Sequence, residues 1–134
     1  MKYSEVSYNI IEYLFKELEP YAILLFGSIC YGSFRKDSDV DIAFLSEKEV
    51  SEYDLFIRSQ YLAEKIGREI DLVDLKKAST VLKAQIIGRG MAIYIGNETK
   101  FAEFQIRALK EYGNLNDERA QVFDSIARRG RVYG

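Results

Sequence analysis

The sequence predicts a single α/β domain over residues 1–134, with a central mixed sheet of about four strands flanked by helices. Short apolar runs of strand length alternate with longer segments whose apolar residues recur at helical spacing. In addition, no stretch rich in proline, glycine or serine divides the chain, and 134 residues is an ordinary length for one domain. Strands that alternate with helices indicate one sheet with helices packed on its faces.

Four runs have the length and composition of buried strands. Tyr21–Phe26 is continuously apolar, and Val40–Leu45 is apolar except for one aspartate. Glu69–Leu75 and Met91–Ile95 are the other two predicted strands. The Gly96-Asn97 pair after the last run is typical of a turn.

The first helix is predicted near the start of the chain. Ser4 is its expected N-cap, and Pro20 is expected to end it. The helix carries an apolar stripe, with a residue every four positions, at Val6, Ile10, Leu14 and Leu18. This face is expected to pack against the sheet.

The remaining helices are predicted from the same spacing. A second helix spans residues 51–66 with Gly67 as its C-terminal cap, and a third spans residues 79–87. Two more helices are predicted to close the chain, one over residues 99–112 and one that Asn116 caps and that runs to about residue 129.

The composition excludes several kinds of protein. Histidine is absent, so His-based triads, His-ligated zinc and His general bases are excluded, and carboxylates must carry most of any catalysis. The single cysteine fits a reducing, cytoplasmic setting. The net charge of -2 argues against binding of long nucleic acid by electrostatics alone. No apolar stretch reaches the roughly 18 residues of a membrane span. We expect a cytoplasmic protein without membrane association or direct nucleic-acid binding.

The segment between the first two predicted strands is the most informative. Its small and acidic residues are Gly27, Ser28, Gly32, Ser38, Asp39 and Asp41. Gly27 lets a ligand approach the backbone, and Ser28 offers a hydroxyl and an N–H group to phosphate oxygens. Asp39 and Asp41 are two residues apart, which places both carboxylates on one face of a strand.

A pair of carboxylates on one strand face predicts a cation. Two such groups repel each other unless a positive charge lies between them. Mg²⁺ prefers a few carboxylates together with substrate phosphates and water. An Asp-x-Asp pair alone is commonly a solvated strand end, but its combination with the glycine–serine loop favours a metal–nucleotide site.

These residues resemble the motif of the DNA polymerase β-like nucleotidyltransferases. Within that superfamily the chain is similar to the minimal nucleotidyltransferases, and more narrowly to the MntA-type adenylyltransferase antitoxins. The resemblance extends beyond the motif to residues 70–75, to residues 87–90 and to the arginine-containing tail, residues 129–134.

The resemblance implies a catalytic and metal-binding role for Asp39 and Asp41, which would hold two Mg²⁺ ions. It implies a nucleotide-binding role for the loop residues Gly27, Ser28, Gly32 and Ser38. The substrate would be ATP, whose α-phosphate is attacked in line with release of pyrophosphate. Paired metals stabilise both the attacking and the leaving oxygens in such a reaction.

A third carboxylate is expected on a neighbouring strand, and two residues qualify. Asp71 and Asp74 are three positions apart and therefore face opposite sides of a strand. Asp71 is predicted to be the catalytic and metal-binding residue, because a charge in mid-strand is costly unless a metal or partner offsets it. Asp74 lies near the strand end, where a surface or capping role is expected.

By resemblance, the chain is an antitoxin that transfers AMP from ATP to a HEPN-type toxin, a helical RNase, and so neutralises it. One alternative is transfer to a small molecule or a nucleic-acid end, and the lack of a second substrate-binding domain counts against it. The other alternative is a non-catalytic antitoxin that acts by binding alone. The three carboxylate positions argue against that alternative.

Overall fold

The computed structural model describes residues 3–27 and 39–133, with side chains described as far as residue 127. The elements in chain order are α1 (Tyr3–Leu18), β1 (Ala22–Phe26), β2 (Val40–Leu45), α2 (Glu52–Ile66), β3 (Ile70–Asp74), a short 3-10 helix (Leu75–Lys77), α3 (Thr80–Arg89), β4 (Met91–Ile95) and α4 (Glu98–Tyr133). The predicted α/β class is confirmed, and the four strands lie where the sequence predicted them, within a residue or so at each end.

The described strands form one mixed sheet in the order β3-β2-β1-β4. β1 pairs antiparallel with both β2 and β4, while β2 and β3 are parallel. A parallel pair requires a crossover connection, and α2 provides it. The two central strands are therefore β2 and β1, which are also the strands that flank the glycine–serine motif.

Helices cover both faces of the sheet. On one face, α1 and α2 pack against side chains that include Ile23, Leu25, Ile42 and Phe44. On the other face, side chains from α3 and α4 pack against the alternate set, Ala22, Leu24, Ala43 and Leu45. The strict alternation along β1 and β2 is the period-two pattern of a sheet that is buried on both sides.

The apolar stripe of α1 is confirmed, but its predicted cap is not. Val6, Ile10, Leu14 and Leu18 are all buried. Ser4 lies inside the helix, which already includes Tyr3, so its prediction as N-cap is wrong. A residue with helical neighbours on both sides cannot serve as the half-in residue that a cap requires.

The caps of α2 and α3 follow the sequence closely. Ser51 accepts a hydrogen bond from the backbone N–H of Asp54, and Ser79 does the same for Leu82. Gly67 ends α2 with φ 78°, in the left-handed region, as the predicted C-terminal cap requires.

The two closing helices of the prediction are one helix. α4 runs unbroken for 36 residues, from Glu98 to Tyr133, which corresponds to about 54 Å. Gly113 lies inside it, and the predicted cap Asn116 is an interior residue. A glycine costs a helix only about 1 kcal/mol relative to alanine, which is too little to break a helix with favourable residues on both sides. Among the described residues, no helix is both long enough and apolar enough to cross a membrane.

Candidate active site

The candidate site lies at the end of the sheet where β1 ends and where β2 and β3 begin. Phe26, the last residue of β1, is opposite Asp41 in the antiparallel register. Asp41 is in turn the register partner of Asp71 across the parallel β2–β3 pair. Asp39 stands two residues before Asp41, directly before β2. The structure therefore brings the three predicted carboxylate residues to one corner of the sheet.

The three carboxylates differ in exposure and act on one another. Asp39 and Asp71 are exposed, whereas Asp41 between them is half-buried. Burial raises the pKa of Asp41, and the negative charges of Asp71 and then Asp39 raise it further. Lost hydration and like-charge repulsion therefore both destabilise the ionised form of Asp41.

Gly27 is fitted against this carboxylate. Its φ is 77°, which L-residues rarely adopt. A Cβ atom at this position would overlap Oδ2 of Asp41 and would lie 3.2 Å from its Cγ. The sequence suggested that Gly27 leaves room for a ligand, and in the structure the group that uses this room is the side chain of Asp41.

The donor set fits a divalent cation. Carboxylate oxygens are the ligands that Mg²⁺ prefers, and a cation would offset the repulsion that raises the pKa of Asp41. Within the described residues, no group of three or more His, Cys, Asp or Glu side chains is arranged to hold a metal ion without further ligands.

Three residues that the sequence assigned to nucleotide binding, Ser28, Gly32 and Ser38, lie outside the described residues. Of the predicted loop set, only Gly27 is described. The nucleotide-binding assignment of all four residues stays a prediction, as do the catalytic and metal-binding roles of Asp39, Asp41 and Asp71.

The prediction of a surface or capping role for Asp74 is wrong. It is 5% exposed, it is the register partner of Phe44 on the opposite face from Asp41, and it makes no cap hydrogen bond. Neither carboxylate oxygen has a hydrogen-bond partner, and Lys77 Nζ lies 4.0 Å from Oδ2. Burial raises the pKa of Asp74, and the charges of Lys76 and Lys77 partly oppose this.

The burial of Asp74 follows from the segment after it. Lys76 Nζ donates to the carbonyl of Ser46 at 3.0 Å, and Lys77 Nζ donates to that of Val50, also at 3.0 Å. These bonds attach the 3-10 helix to the β2–α2 connection, which closes over the end of β3. Nothing in the local sequence indicates this closure, because it depends on which strand β3 pairs with.

Comparison with known proteins places this geometry in a family. Residues 8–99 match the family model described as "Polymerase beta, Nucleotidyltransferase". The protein adenylyltransferase MntA of Shewanella oneidensis is 33% identical over 104 residues, which is 78% of this chain and 74% of that protein.

Solved structures agree with this assignment. A toxin–antitoxin crystal structure with AMP-PNP superposes with a TM-score of 0.80 at 30% identity, covering 90% of this chain and 97% of the other. A tri-AMPylated Shewanella oneidensis HEPN toxin in complex with MNT antitoxin gives 0.77 at 28% identity, covering 92% and 97%. The family expected from the motif is thus confirmed, and the chain belongs to the polymerase β nucleotidyltransferases.

Proposed function

We propose that this protein is an antitoxin that transfers AMP from ATP to a hydroxyl group of a cognate HEPN-type toxin. The observation that carries the proposal is the corner of the sheet where Asp41 stands between Asp39 and Asp71. The similarity to MntA and to toxin–antitoxin complexes, one with AMP-PNP and one with an AMPylated toxin, supports the donor and the acceptor.

The three carboxylates have distinct tasks in this proposal. Asp39 and Asp41 would hold Mg²⁺ at the start of β2, and Asp71 would complete the set from the neighbouring strand β3. Two bound Mg²⁺ ions would supply charge neutralisation at the phosphates and at the attacking and leaving oxygens. Because Gly27 has no side chain, the carboxylate of Asp41 can occupy the space that a Cβ atom at residue 27 would fill.

The chemical step balances with groups of this chain and its substrates. The acceptor hydroxyl gives its proton to the carboxylate of Asp71 as its oxygen attacks the α-phosphorus of ATP. A new bond forms between the acceptor oxygen and the α-phosphorus. The bond from the α-phosphorus to the bridging oxygen breaks, and pyrophosphate leaves. Asp71 suits this task because it is exposed and can reach an incoming group.

The loop residues Ser28, Gly32 and Ser38, together with Gly27, would bind the triphosphate through hydroxyl and backbone N–H groups. The acceptor comes from outside, and a docked protein supplies the positioning that in-line transfer requires. Attached AMP adds a bulky anion to the toxin, which would oppose RNA binding by repulsion and steric exclusion. We place the reaction in the cytoplasm, where ATP is the available donor.

The test is incubation of the purified chain with ATP, Mg²⁺ and the cognate HEPN-type protein, followed by intact-mass measurement. We expect the partner to gain one or more AMP units of roughly 329 Da each, and its RNase activity to fall. The control is the Asp39→Asn, Asp41→Asn double variant, which should give no mass change.

Three results would contradict the proposal in different ways. Undiminished transfer by the double variant would exclude the carboxylate site. Neutralisation by the double variant without any mass change would indicate inhibition by binding alone. AMP transfer to a small molecule or a nucleic-acid end, with the partner unmodified, would place the acceptor in another class.

A further inference from the structure

The distal half of α4 has no cover within the described chain. Ala108 is buried at 2% exposure, but no residue from 109 to 127 is buried. The contacts of α4 are chiefly with α3, which has 10 residues against 36 in α4. At 1.5 Å per residue, a helix of about 15 Å cannot cover one of about 54 Å.

Apolar side chains continue along this uncovered part in a regular pattern that Arg119 interrupts, and Phe123 lies beside it. Val122 is 58% exposed, Phe123 is 69% exposed and Ile126 is 56% exposed. Steps of four and three residues alternate through the positions Ala108, Tyr112, Leu115, Arg119, Val122 and Ile126. Single exposed apolar residues are normal on a protein surface, but a run of several along one helix indicates an interaction site.

The alternation indicates the shape of the partner. From Tyr112 to Ile126 four steps cover 14 residues, an average of 3.5, which is the spacing of the seam along which one helix packs into the holes of another. We call the part of this row that is not fully buried, residues 109–126, the α4 seam; Tyr112 and Leu115 in it are half-buried. Its length is about 27 Å, so its natural occupant is a helix of similar length.

The charges on the α4 seam argue against a second copy of this chain. Arg119 lies within the seam, and Glu111 and Glu118 flank it on one side. A parallel pair of copies would place Arg119 opposite Arg119, and an antiparallel pair would set the two acidic flanks against each other. Like charges in these positions select against self-pairing.

We propose that the α4 seam docks an amphipathic helix of a different protein. That helix presents an acidic residue to Arg119 and basic residues to the flank of Glu111 and Glu118. The inference rests on the proposed function, because the partner with this chemistry is the HEPN-type toxin. A helical RNase offers the helix, and the cations with which it attracts RNA complement an acidic flank.

The test compares two double variants that introduce the same number of charges into the same helix. Val122→Asp with Ile126→Asp alters the seam. Ala120→Asp with Ala127→Asp alters exposed positions beside it. Binding of each full-length variant to the purified HEPN-type partner is measured by calorimetry without ATP, and the oligomeric state of the free chain is measured by sedimentation.

We expect the seam variant to bind the partner at least ten-fold more weakly than the unmodified chain, and the control variant to bind within about three-fold. Both variants should unfold cooperatively and bind ATP with Mg²⁺ like the unmodified chain. If the unmodified chain is a dimer and the seam variant is a monomer, the occupant of the α4 seam is a second copy of this chain and the inference is overturned.

The remaining outcomes separate this inference from the proposed function. If the seam variant binds and modifies the partner normally, the inference is wrong and the proposed function stands. If the unmodified chain neither binds nor modifies the partner, the proposed function fails and this inference fails with it.

Discussion

Gly27→Ala is the substitution that most directly tests the geometry of the site. The left-handed φ of 77° costs an L-residue about 1–2 kcal/mol. In addition, the new Cβ would occupy the place of Asp41 Oδ2, so the carboxylate must move by about 1 Å or more. Overpacking of this kind costs about 1–3 kcal/mol, and a misplacement of about 1 Å in a reacting group costs about 100-fold in rate.

Gly67→Ala is a matched control. Gly67 has nearly the same φ, 78°, but nothing lies within 4 Å of a Cβ atom placed there. Its substitution therefore carries the backbone cost of about 1–2 kcal/mol without the overlap. The difference between the two variants isolates the contact between residue 27 and Asp41.

The assays are urea unfolding and the rate of AMP transfer at saturating ATP and Mg²⁺. We expect Gly67→Ala to keep its transfer rate within about two-fold, while Gly27→Ala loses about 100-fold. Rotation of Asp41 away from the new methyl group would reduce the stability cost but not the loss of rate. The reasoning is refuted if Gly27→Ala transfers AMP as fast as Gly67→Ala does.

Three further predictions concern the carboxylates. Asp71→Asn should lower the transfer rate by about 100-fold or more, as expected for loss of a general base, whereas Asp74→Asn should change the rate by less than about three-fold. Single-turnover transfer with both variants measures this. The opposite ranking would exclude Asp71 as the general base. Because the folded-state pKa of Asp74 is raised, the native state binds more protons than the unfolded state above about pH 4, so this group lowers stability as pH rises. Asp74→Asn should therefore gain stability relative to the unmodified chain between pH 4 and pH 7.5 in urea unfolding, and a difference that is constant with pH would contradict this. Mg²⁺ should raise the melting temperature of the unmodified chain but not of the Asp39→Asn, Asp41→Asn variant, and equal shifts would place the cation elsewhere.

The sequence predicts an element of this fold well where neighbouring residues alone determine it. The runs of β1, β2 and β4, the stripe of α1 and the cap at Gly67 all depend on residues within one or two turns. The sequence predicts two helices where α4 is one, because Gly113 and Asn116 are residue types that often end or begin a helix. The free-energy cost of these two residues is small in so long a helix.

The candidate site could be predicted in its residues but not in its arrangement. Asp39 and Asp41 are two apart in the sequence, which predicts a shared strand face, but β2 begins at Val40 and Asp39 therefore lies just before the strand. That Asp41 is the register partner of Asp71 depends on the parallel pairing of β2 with β3, which no local pattern specifies. Asp74 is buried in the same parallel pair, so its position near the strand end does not give it the surface or capping role that the sequence predicts.

The order of the strands has a consequence for synthesis. Gly27, Asp39, Asp41 and Asp71 all precede residue 75, and so do three of the four strands, whereas α4 comes last in the chain. At about 5–20 residues per second, the ribosome takes roughly 3–10 s to add the residues between β3 and the end of the α4 seam. A growing chain therefore presents the strands that carry the candidate site several seconds before the helix with which we propose it engages its partner.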